Sequence, residues 1–116
     1  MNESILTSVK KLLGIEESYE YFDQDIIIHI NSVLSVLAQL GVGTEGFGIS
    51  DKSAVWSDFT DNEKIQMIKS YVYLKVRLLF DPPTVSSHVD AINNMISEYE
   101  WRLNVAVDPG ETEDNT

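Results

Sequence analysis

Gly41, Gly43 and Gly46 spell G-x-G-x-x-G, the spacing with which a backbone cradles a dinucleotide pyrophosphate. That chemistry requires a strand entering the turn and a helix leaving it toward the phosphates. Here the residues before Gly41 carry a helical period, so the glycines read as a flexible turn and no cofactor is expected. No Lys follows in the P-loop pattern, which removes nucleoside triphosphates on the same grounds. The two histidines, His29 and His88, fall on different expected helices with no carboxylate at ligand spacing, so no metal site is expected. Asp23 with Asp25, or Glu16 with Glu17, supplies two carboxylates but nothing to separate their pKa values, and acid–base catalysis needs that separation. With no cysteine there is no thiolate nucleophile, thiolate zinc site or disulfide framework. The residues therefore point away from an enzyme.

Composition narrows the alternatives. At 116 residues the chain is sized for one domain, and its 43% hydrophobic content is enough for a core. No apolar run reaches the roughly 18 residues of a membrane span, and the N-terminus lacks the series of a secretory signal. A soluble protein of the cytoplasm or of a particle is expected. The net charge of −11 would repel a nucleic-acid backbone. Four of the negative charges lie in residues 108–116, which read as a disordered acidic tail beyond a single domain of residues 1–107. Lys64, Lys69, Lys75 and Arg77 gather on one expected helix, so the charge is segregated.

The hydrophobic spacing predicts an all-α fold, a small bundle of four helices at roughly 3–13, 24–40, 61–80 and 85–105. Ile5, Leu6, Val9, Leu12 and Leu13 recur at helical spacing before Gly14, a C-terminal cap. The acidic and aromatic segment from Ile15 to Phe22 reads as a loop, with Asp23 or Asp25 as the next N-cap. Ile26, Ile30, Val33, Leu37 and Leu40 then advance by fours and threes; the β-branched run 26–28 could open a strand, but the helical period persists. Residues 41–59 form a glycine-rich loop too apolar to be a solvated linker, with Phe47, Ile49, Val55 and Trp56. Thr60 and Glu63 read as a capping box opening the third helix. Asp81, Pro82 and Pro83 end it. Val85, Val89, Ile92, Ile96, Tyr99 and Leu103 make the most regular stripe, that of the last helix.

Two features concern surfaces. At 100° per residue, Ile65, Ile68, Val72, Val76 and Leu79 form one face of the third helix, and Met67, Tyr71, Leu74 and Leu78 form another. Such a helix is central, with an apolar face available for a neighbour. Trp101 projects about 160° from its own stripe and needs cover, either from the loop through Phe47 or Trp56 or from another subunit. Lys69, Lys75 and Arg77 either solvate their helix or meet a neighbour's acidic face. Asp at Val72 or Ile92 is expected to unfold the chain, while Trp101→Ala should weaken assembly more than stability.

The block Tyr71-Val72-Tyr73-Leu74-Lys75-Val76-Arg77-Leu78-Leu79-Phe80-Asp81-Pro82-Pro83 and the later Glu100-Trp101-Arg102-Leu103-Asn104 resemble the head–tail connector proteins of tailed bacteriophages and prophages. The resemblance runs from about Ile5 to Val107. It implies a structural virion protein: a ring of about twelve copies below the portal, extending a channel through which DNA passes without sequence-specific binding. Its implied partners are itself, the portal protein and the next head-completion or tail protein. An acidic lumen suits such a conduit, because it would not hold the sliding phosphates. The alternative reading is an acidic helical adaptor or regulator that binds another protein.

Overall fold

The computed structural model describes residues 3–61 and 63–107, so the tail at 108–116 lies outside the described residues. The fold is all-α: α1 (Ile5–Leu13), α2 (Asp23–Gln39), the single turn α3 (Trp56–Phe59), α4 (Ile65–Phe80) and α5 (Ser86–Val107). Among the described residues there is no strand beyond one antiparallel bridge between Ser4 and Val55.

Each end of α1 has a local cause. The Ser4 hydroxyl accepts a hydrogen bond from the Thr7 amide at 3.2 Å, satisfying a donor the first turn leaves free. At the far end Gly14 adopts φ +83°, and the amides of Gly14 and Ile15 donate to the Lys11 and Lys10 carbonyls. The helix α2 starts one residue earlier than the spacing implied. Phe22, rather than Asp23 or Asp25, holds the N-cap position, and both aspartates sit in the first turn, where the helix dipole favours them. Asp23 is drawn inward because its carboxylate pairs with Lys10 at 2.8 Å.

The larger departure is at α4, which begins at Ile65, four residues beyond the expected start. Thr60 and Glu63 do not open it: Thr60 is extended (φ −156°, ψ 149°) and ends α3, its amide donating to the Trp56 carbonyl. Burial of two large rings decides the matter. Trp56 and Phe59 both reach the core through the short turn of α3. That turn is closed by Asp58, whose carboxylate accepts from the Val55 amide at 3.0 Å.

The loop between α2 and α3 is pinned along its length. Asn31 of α2 donates to the Ile49 carbonyl (3.0 Å) and accepts from the Ile49 amide (2.7 Å), a two-way grip that holds Ile49 in the core. Thr44 donates through both its amide and its hydroxyl to the Phe59 carbonyl. Gly43, at φ +85°, runs so close to the Phe59 ring that a Cβ there would overlap it.

Helix α4 is central, packing against α2, α1 and α5, while α1 also packs on α2. Its Ile68, Val72 and Val76 are fully buried. Tyr71 and Leu74, on the second face, are buried as well, and Met67 and Leu78 are half-buried against the same core. The second apolar face is therefore not spare: it lies within the chain's own packing.

Candidate assembly surface

The residues singled out by the sequence separate into three environments. Trp56, Tyr71 and Leu74 are interior. The Trp56 indole N–H donates to the Ser8 hydroxyl at 3.0 Å, and the Lys69 ammonium stands 6.0 Å from its ring centroid. Tyr71 donates its phenol proton to Glu100 of α5 at 2.7 Å, a charge-assisted bond between the two helices. Burial first, and then this carboxylate, push the phenol pKa well above its ordinary value, so the group stays a donor.

Phe47, Met67, Leu78, Lys69, Lys75 and Arg77 form an intermediate group, half-buried at the edges of the packing. Phe47 lies against Phe59 with centroids 5.5 Å apart. Lys69 pairs with Glu3 at 2.9 Å. Arg77 donates to the Tyr73 hydroxyl at 3.3 Å, a contact one turn apart on α4.

Trp101 stands alone in the third environment, with 67% of its surface exposed on the outer side of α5. The loop that could have covered it is committed elsewhere: Trp56 faces Ser8 and Phe47 faces Phe59. Its neighbours on that side are polar, including the exposed Glu98–Arg102 pair at 3.0 Å. The inward stripe of α5 is also thinly covered. Ile96 and Leu103 are buried, but Val89, Ile92 and Tyr99 are half-buried, and Val85, just ahead of the helix, and Met95, beside the stripe, are exposed.

Further apolar side chains are exposed outside the candidate surface residues. Ile28 is outward-facing, as one residue of three consecutive isoleucines on a helix must be. Leu79, assigned to the inner face of α4, is half exposed in its last turn. Tyr21 is exposed in the loop before α2.

The three glycines of the nucleotide-like spacing follow α2 and take φ values of +88°, +85° and +81°, forming a winding turn into the loop. Neither strand nor helix frames them as phosphate binding would need. His29 is half-buried on α2 and His88 exposed on α5, and among the described residues no three metal-ligating side chains come together. Among the described residues no helix is long and apolar enough to cross a membrane.

The sequence matches the family described as phage connector protein over residues 5–110, which takes in all five helices. The chain belongs to the phage connector protein family. No curated protein and no solved structure gives a match. Phage connector proteins are structural, and membership gives this chain a connector role in the virion with portal or tail proteins as its partners. The geometry of this connector protein is of that kind: large aromatic side chains, helix faces and paired charges.

Proposed function

We propose that this chain is one subunit of a closed ring seated below the portal, a single domain ending near Val107, and that the ring extends the DNA channel and offers a docking surface to the next head-completion or tail protein. About twelve copies is the number the family resemblance implies. The observation that carries this reading is the exposed Trp101 on α5, a helix whose own inward stripe is only partly covered. A large aromatic with two thirds of its surface exposed is the type of residue that anchors protein interfaces.

Ring closure needs two different surfaces per subunit that meet head to tail. Trp101 supplies one. For the second surface we assign the exposed parts of the half-buried Met67, Leu78, Phe47, Lys75 and Arg77. Lys69 contributes less, since its charge is already engaged by Glu3. The second-face residues Tyr71 and Leu74 and the loop's Trp56 support the surface from beneath and do not contact the neighbour. The net negative charge favours a channel wall that repels passing DNA and so does not retain it.

Imaging of the purified protein by negative stain, with and without portal, tests the proposal. The expected result is discrete rings or portal-capped rings, lost in Trp101→Ala at a concentration where the native chain still assembles. A protein that stays monomeric with portal present, or a Trp101→Ala variant that assembles normally, refutes it.

A further inference from the structure

The loop between α1 and α2 is held by an unusual interior charge. Lys10 lies on α1 with 2% of its side chain exposed, and its ammonium reaches Asp23 (2.8 Å), the Glu17 carbonyl (3.0 Å) and the Tyr19 carbonyl (2.7 Å). The ammonium donates two protons to these carbonyls, and the Asp23 carboxylate beside it neutralises its charge as an ion pair. A buried charge is costly unless fully paired, so this one fixes the loop in a single shape.

What the loop presents is aromatic. Tyr19 and Tyr21 are 50% and 79% exposed, and each ring touches the next: Tyr21 meets Phe22 edge-on at 5.0 Å, Tyr19 meets Phe22 at 5.9 Å, and Phe22 meets Phe80 of α4 at 5.3 Å. Four rings thus run from the loop to the end of α4, two of them largely in water. Glu16, Glu17 and Glu20, on the same loop, are exposed around an open depression whose one basic member is Lys52. Asp25 and Asp81 add exposed carboxylates at the margins, whereas Asp23 is already paired with Lys10.

We propose that Tyr19, Tyr21, Phe22 and Phe80, rimmed by Glu16, Glu17 and Glu20, form a docking surface for an arginine-bearing segment of a partner protein. Exposed ring faces attract cations, and a guanidinium can stack on a ring while its edge donates to a carboxylate, which an ammonium cannot do. Charge complementarity favours a basic partner over a second copy of this chain. Three of its eight basic residues, Lys10, Lys69 and Arg102, are already committed to internal carboxylates. The inference goes beyond ring formation and does not depend on it.

Titration of the full-length protein, labelled with nitrogen-15, with a capped peptide of alternating arginine and glycine tests it, with a lysine–glycine peptide as the control. Amide shifts should concentrate at residues 16–23 and 79–81, and the arginine peptide should bind several-fold tighter than the lysine peptide. Tyr21→Ala should weaken binding about tenfold with an unchanged thermal midpoint, since the ring is in water. The triple change Glu16→Gln, Glu17→Gln, Glu20→Gln should do the same and weaken the salt dependence. Shifts spread over the acidic surface or confined to residues 108–116, or equal binding by Tyr21→Ala, would overturn the proposal. Shifts at residues 16–23 that track protein concentration without peptide would also overturn it, by making the surface a self-contact.

Discussion

Helices α2 and α5 both carry apolar stripes that advance by fours and threes, and the structure treats them differently. In α2, Ile26, Ile27, Ile30, Val33, Leu34 and Leu37 are all buried, because the helix is packed by both α4 and α1. In α5 the stripe is more regular, yet among its described side chains the buried ones are Ile96 and Leu103, because the helix leans mainly on α4. Periodicity therefore tells which side of a helix faces inward, and the number of neighbouring elements sets how deeply. A helix with a strong stripe and shallow cover is where a connector has apolar surface left for another molecule.

The contrast is sharpest in a pair of identical substitutions. Val72→Asp buries an unpaired carboxylate at a fully enclosed site of α4 and should abolish the cooperative unfolding transition, a loss of at least about 4 kcal/mol. Ile92→Asp sits on the half-covered part of α5, where water reaches the new charge. It should cost only about 1–2 kcal/mol, measured by urea denaturation, contrary to the unfolding that the stripe alone predicts. If the two variants were equally damaged, α5 would be as deeply integrated as the central α4 and the distinction between a fully and a thinly covered helix would fail.

Helix α5 is tied to α4 by the Tyr71–Glu100 bond. Tyr71→Phe should lose about 1–2 kcal/mol by denaturant titration, because Glu100 loses its donor. Its pH dependence is more diagnostic. The folded phenol holds its proton above the ordinary tyrosine value, whereas the unfolded one ionises at a pH of about 10. The folded state then binds more protons than the unfolded state, so stability falls as pH rises past that point. Tyr71→Phe should flatten that alkaline limb and leave the neutral range parallel to the native protein. The smallest effect on the isolated chain is at Trp101, where replacement by Ala should move stability by less than about 0.5 kcal/mol, read from the thermal midpoint.

The sequence carried the helices α1, α2 and α5 to within about two residues at each end, because their signals are local: a continuous apolar stripe, with Gly14 and Gly41 behind the first two. It misassigned the start of α4 because Thr60 and Glu63 satisfy a capping pattern that competes with the burial of Trp56 and Phe59, and burial of two large rings outweighs one cap. The double-sided character of α4 correctly indicates a central helix, but a helical projection does not say which body provides the cover. Tyr71 and Leu74 meet their own chain, whereas Trp101, from the same kind of projection, does not. The Lys10 lock had no sequence signal, since a lysine next to Val9 in an amphipathic helix ordinarily points to water, and its acceptors lie 7 to 13 positions away.

Gly43 has a lasting consequence for how the family can vary. Two independent constraints act there, the left-handed backbone and the Phe59 ring pressed against the Cα, whereas Gly14 and Gly46 face only the first. Relatives that keep this loop path can exchange Gly14 or Gly46 for asparagine at modest cost. At position 43 they must retain glycine for as long as a phenyl ring occupies position 59, and a smaller residue at 59 would lift only the second of the two constraints.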